Sequence, residues 1–150
     1  MKFIILIILI LIDFFSKKFI SSFIFLNSFK TIFPFLKIVH FQNNGIAFGL
    51  FQDVLPSWLI ILITTIIVIF LFYLLLSSLN PFEKWGIFFI IAGALSNLLD
   101  RFINNFVLDF IYLHYNEFGW PAFNFADMYI TTGLLLIIFC VIRETYKNRK

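Results

Sequence analysis

Apolar residues run almost without interruption through four stretches of this chain, and the polar residues gather between them. The first, about residues 1–22, opens Lys2-Phe3-Ile4-Ile5-Leu6 and stays aliphatic until Asp13. The second, about residues 58–79, is relieved only by Thr64, Thr65, Tyr73 and the serines at its end. The third and fourth run over about 85–102 and 127–142. A bilayer crossing takes roughly 20 residues of helix, so each stretch predicts a span. The last two are a little short, which tilt or flanking aromatics accommodate. The segment Asn80-Pro81-Phe82-Glu83-Lys84 predicts the short link between the second and third spans. In the first long loop, Ile32 to Val39 is apolar and β-rich, and Gln42-Asn43-Asn44-Gly45 is a turn signal. A small sheet or hairpin on the outer membrane surface fits that pattern. With no repeat, linker or composition shift, the expectation is one domain over residues 1–150, an all-α membrane protein of four transmembrane helices with a small β element.

The opening could also be read as a cleaved secretory signal, with Lys2 as its basic part and Phe3 to Ile12 as its apolar part. A cleavage site of small residues should then follow. The run instead meets Asp13 and Lys17-Lys18, so a retained anchor is expected.

Composition sharpens the class. At 62% hydrophobic and 13% charged, the chain has too little charge to cover a water-facing surface, so it is read as an integral membrane protein. The net charge of +3 belongs to residues flanking the spans, and no basic cluster points to nucleic acid. The lone Cys140 cannot close an internal disulfide and is expected as lipid-facing or packing filler. The 24 phenylalanines are taken as a compositional bias, not a functional signal. Four spans put both termini on one side. Lys2, Lys84, Arg143, Lys147, Arg149 and Lys150 then face Lys17, Lys18, Lys30, Lys37 and Arg101. The dense tail from Arg143 tips the expectation toward cytoplasmic termini.

Carboxylates near a bilayer are costly to keep ionised, so they mark a working site. Three aspartates fall between Asn97 and Asp127. Asp13 and Lys17, four apart on a helix, share a face, as a self-neutralising pair or as part of the site. Asn97, Asp100 and Arg101 share another, read as an interfacial ion pair or as support for a catalytic carboxylate. Gly93, Ala94 and Ser96 before them let a neighbouring helix approach. Asp109 and Asp127 lie eighteen residues apart, around Gly119, Trp120 and Pro121, room enough to leave the membrane face and return. Two such acids sharing a proton can activate water and protonate a peptide group. Equally, Asp127 could be a helix N-cap and Asp109 a loop acid in water. His40 and His114 have no metal-binding spacing, and no serine-nucleophile or phosphate-loop motif occurs.

At this point the chain resembles the bacterial signal peptidase II family, the lipoprotein signal peptidases, over most of its length. Asp13-Phe-Phe-Ser-Lys17 looks like the family's Asp-x-x-x-Lys. Asn43-Asn-Gly-Ile-Ala-Phe48 is similar to its Asn-Thr-Gly-Ala-Ala-Phe, and Gly93 to Arg101 to its Gly-Ala-Leu-Gly-Asn-Leu-Ile-Asp-Arg. Val107-Leu-Asp-Phe-Ile111 and Phe123-Asn-Phe-Ala-Asp127 resemble the segments that supply its catalytic aspartates. Ala92 and Ser96 stand where the family has glycine, Asn44 where it has threonine, and Met128 where serine is common.

The resemblance implies an aspartyl endopeptidase that removes the signal peptide from diacylglyceryl-modified prolipoproteins, cutting before the lipidated lipobox cysteine. Asp109 and Asp127 would be its catalytic pair, with no metal and no cofactor. Asp13, Lys17, Asn43, Gly45, Asn97, Asp100, Arg101, Asn124 and Ala126 would bind substrate or support the pair. The outer loops would form a β-cradle and a flap. The partners implied are the prolipoprotein substrate and membrane lipids, and a monomer is expected. It would cross the bacterial cytoplasmic membrane several times, with its site near the outer face, and be a target of globomycin-type inhibitors. The alternative is a small membrane carrier or channel subunit that uses the same charges as a polar pathway.

Overall fold

The computed structural model describes residues 2–46 and 54–147. Residues 47–53 of the first outer loop, with Ala47 and Phe48 of the Asn43–Phe48 motif, lie outside the described residues, so the part of the expected flap that falls there does too. Helix α1 (Lys2–Phe23) leads into a hairpin of β1 (Phe29–Phe33) and β2 (Leu36–Asn43). Helices α2 (Ser57–Ser77) and α3 (Pro81–Asn104) follow, then β3 (Val107–Tyr115), β4 (Phe118–Gly119) and α4 (Phe125–Lys147). By length and composition α2, α3 and α4 can cross a membrane. Helix α1 is 22 residues long but carries Asp13, Lys17 and Lys18 in its second half.

Helix α3 is the hub. Of its most apolar eighteen residues, 67% are buried in protein, against 11% in α2 and 17% in α4. Glycine makes its contact with α4 possible. A Cβ on Gly86 would lie 2.8 Å from the Gly133 carbonyl oxygen, and one on Gly93 would run into that of Ala126. With hydrogen there instead, the two backbones touch, as the Gly93-Ala94 signal predicts. Ser96, in place of a family glycine, turns its hydroxyl back onto the Ala92 carbonyl at 3.0 Å and leaves the packing intact.

Two expectations need correction. The link at Asn80–Lys84 is the first turn of α3, not a loop. Asn80 Oδ1 accepts from the Phe82 and Glu83 amides, and Pro81 stands where a missing N–H costs nothing. The third span is therefore 24 residues and the fourth 23, and neither is short. Of the two readings of Cys140, packing filler holds and lipid-facing does not: it is buried, with Asn80 Nδ2 2.9 Å from its sulfur.

The strands form one antiparallel sheet in the order β1-β2-β3-β4, in keeping with the expected hairpin on the loop side. The two-residue turn at Pro34 and Phe35 joins β1 to β2. Beyond a register shift between Ile38 and Phe41, Phe41 pairs with Asp109 and Asn43 with Val107. His40, at that shift, donates from Nδ1 to the Ile24 carbonyl at 2.8 Å and ties the sheet to the end of α1. Asp109 is thus a buried strand residue, and the reading as a loop acid in water fails. An isolated bridge between Ile111 and Phe123 brings the chain back beside β3 just before α4 begins.

Candidate active site

Two strands and the start of one helix set the carboxylates. Asp109 projects from β3 with 4% of its surface exposed. Its Oδ1 accepts from Asn124 Nδ2 at 2.6 Å and its Oδ2 from Asn43 Nδ2 at 3.0 Å. Asn43 can point there because its own Oδ1 accepts from the Gly45 amide at 2.9 Å, a local turn that frees the amide end.

Asp127 is the third residue of α4 and not its N-cap. The cap is Asn124, fully buried, whose Oδ1 accepts from the Asp127 amide at 3.0 Å. Asp127 Oδ2 in turn accepts from the Asn124 amide at 3.2 Å, closing a reciprocal capping box. Its Oδ1 accepts from Asn97 Nδ2 at 2.9 Å. Asn124 therefore touches both aspartates. Met128, the departure next to Asp127, points away and is 44% exposed.

Arg101 does something the sequence did not indicate. Among the described residues it forms no ion pair with either aspartate. Its Nη2 donates to the Gly45 carbonyl at 2.6 Å and its Nη1 to the Asn97 carbonyl at 3.4 Å. It holds the turn after β2 against α3, while its charge still acts on the pair through space. Asp13 and Lys17 are also more than a self-neutral pair. Lys17 Nζ lies 2.7 Å from Asp13 Oδ2, 2.7 Å from Asp100 Oδ2 and 3.1 Å from Asn97 Oδ1. Asp13 Oδ1 accepts from the Ala126 amide at 2.9 Å. All eleven residues expected at the site thus fall in one hydrogen-bonded cluster or in direct contact with it.

Asp109, Asp127, Asn43, Asn97 and Arg101 line a single cavity of about 480 Å³. Its far wall is apolar and comes from α2, through Ile60, Ile63, Ile67 and Leu71. Burial, reinforced by the charge of Asp127, pushes the Asp109 carboxyl up to about 7, against the opposing hydrogen bonds from Asn43 and Asn124. A carboxyl of that kind carries a proton for half the time at neutral pH, which an acid–base catalyst requires.

Comparison with known proteins identifies the family. The family model described as signal peptidase (SPase) II matches residues 5–143. A lipoprotein signal peptidase of Thermodesulfovibrio yellowstonii is 38% identical over 143 residues, covering 95% of this chain and 90% of that protein. One from Wigglesworthia glossinidia brevipalpis is 40% identical over 132 residues, 86% of each. A solved bacterial membrane enzyme superposes with a TM-score of 0.89 at 31% identity, over 99% of this chain and 91% of that one. With its motifs, fold and carboxylate-lined cavity in agreement, the chain belongs to the signal peptidase II family.

Proposed function

We propose that Asp109 and Asp127 are the catalytic pair of this lipoprotein signal peptidase, which removes the signal peptide from prolipoproteins. One observation carries the reading: Asn124 donates to both carboxylates, from Nδ2 to Asp109 and from its backbone amide to Asp127, and both line one cavity. At neutral pH the pair shares one proton, and the reactive form is the one in which Asp109 carries it. Asp127, ionised, takes a proton from a water set between the two acids as that water attacks the scissile carbonyl. Asp109 donates its proton to the developing oxyanion, and the proton then passes to the leaving amine. No bond to the enzyme forms. Asn43 and Asn124 hold the Asp109 carboxyl in place, and Asn97 does the same for Asp127.

The substrate is a prolipoprotein whose lipobox cysteine already carries diacylglycerol, and the cut falls before that cysteine. The apolar α2 wall suits acyl chains, since each buried methylene contributes about 0.8 kcal/mol. The signal helix and the lipid arrive sideways from the bilayer, which is why the cavity needs apolar sides. In this reading α1 also crosses, its charges satisfied by α3 and α4. The chain is then one domain of four spans, with cytoplasmic termini, in the bacterial cytoplasmic membrane. The sheet acts as the β-cradle at the outer face, and the chain works as a monomer. The carrier reading is not favoured, because the family is one of peptidases.

Turnover of a diacylglyceryl lipobox peptide by purified wild type, Asp109→Asn and Asp127→Asn tests the assignment. Both variants should fold and stay inactive. Ordinary turnover by either one overturns the aspartyl mechanism.

A further inference from the structure

Lys17 Nζ, in this structure, forms ion pairs with one carboxylate oxygen of Asp13 and one of Asp100, and donates to Asn97 Oδ1. Neutralising a helix needs only the first of these, its own neighbour one turn away. The other two both come from α3, three residues apart, and the last is the residue that donates to Asp127. We propose that Lys17 is a positioning residue for the reaction, holding the Asn97 amide in the orientation that presents an N–H to Asp127. This rests on the reading of Asp127 as a catalytic acid.

The argument is one of donors and acceptors. The two ends of an asparagine amide have nearly the same shape but opposite hydrogen-bonding sense. Flipped, Asn97 would put its carbonyl oxygen against the Asp127 carboxylate, and acceptor would face acceptor. An ammonium group can only donate, so it accepts nothing but the oxygen end on its side. The NH₂ end is thereby sent to Asp127 Oδ1 at 2.9 Å. Lys17 is itself fixed, 4% exposed and gripped at 2.7 Å by carboxylates from two helices. Asp13 closes the arrangement from the other side, because its second oxygen holds the Ala126 amide, one residue before Asp127. One turn of α1 thus grips both the donor to Asp127 and the backbone that carries it. Lys17 touches no reacting atom and acts through Asn97.

The test is a double-mutant cycle on the purified full-length protein with a diacylglyceryl lipobox peptide, using Lys17→Gln, Asn97→Ala and the two combined. Lys17→Gln should lower kcat about 100-fold, as misplacement of a reacting group does, with KM within about 2-fold of wild type. The bell of kcat against pH should move to higher pH, because a cation that favours the ionised pair is gone. Added to Asn97→Ala, Lys17→Gln should lower kcat by no more than about 2-fold, since the path between them is already cut. Lys18→Gln, the exposed next residue, should leave kcat unchanged and controls for loss of charge. Should Lys17→Gln fail to fold, Lys17→Met combined with Asp13→Asn and Asp100→Leu removes all three buried charges and keeps an oxygen for the Ala126 amide. That protein should fold and turn over slowly. Wild-type kcat in either folded variant, or an equal loss in the presence and absence of Asn97, overturns the proposal. An inactive Asp127→Asn beside a fully active Lys17→Gln would sink this inference alone, whereas an active Asp127→Asn would sink the reading beneath it.

Discussion

Helices α2 and α3 are adjacent, of similar length, and opposite in character. Helix α2 carries no charged residue and buries only Ile60 and Val68 against the rest of the protein. Helix α3 buries Asn97, Asp100 and Arg101 along with a run of small and apolar side chains. Both face the same cavity. A helix apolar on every side is at home against lipid, and so is a lipid-bearing substrate. A helix with a polar stripe must surround that stripe with partners, and α1, α4 and β2 supply them. On the proposed reading, affinity and chemistry are carried by different helices. Substitutions on α2 should act on KM, and those around the α3 cluster on kcat.

The largest effect separates the two halves of the site. Asp109→Asn and Asp127→Asn should each cut kcat by about 1,000-fold or more, as loss of an acid–base group does, with substrate binding retained; product release from a lipidated peptide measures it. Next comes the contact that brings α4 to α3. Gly93→Ala drives a methyl group into the Ala126 carbonyl, and relieving it costs about 1–3 kcal/mol of stability. Because Ala126 adjoins Asp127, kcat should fall with the melting temperature, whereas the matched change Ala94→Gly on the same helix should leave the clash out. On the α2 side, Ile67→Ala should raise KM by about 10-fold or less while kcat holds. A fall in kcat alone would blur the division of labour.

The smallest effect is on stability against pH. Asp109 titrates at about 7 in the folded protein, well above its ordinary 3.8. The unfolded chain therefore loses this proton at a lower pH than the folded one. Stability from this group is fully present below the unfolded value and falls as pH rises through about 7. Asp109→Asn should melt a few degrees above wild type at pH 8.5 and near it at pH 4, by thermal unfolding in the same detergent. A variant that gains nothing at the higher pH would mean that the carboxylate stays ionised at no cost.

How much of this could be read from the residues depends on distance along the chain. The helices α1 and α2 are visible because each is a long aliphatic run, and the expected ends fall within two residues of theirs. The third start is misread because Asn-Pro signals a turn, yet the same pair is a cap followed by a first helical residue. Asn124 as the cap was available from its spacing of three to Asp127, a capping-box pattern hidden by attention to the acid. The strand at Asp109 is short of a clear alternation, since Val107, Leu108 and Phe110 are all buried beside it. The grip of Arg101 on Gly45 joins residues 56 apart, and no local pattern encodes it. Nor does the uniform face of α2 reveal which of its side chains meet the cavity.

Asn124 closes the first turn of α4 and, with the other end of the same amide, reaches Asp109. The gap between the two acids is thereby fixed by how one helix begins, and not by how helices lean on one another. A bilayer that thins, thickens or tilts the bundle can then shift the walls of the cavity without changing the distance between the two carboxylates.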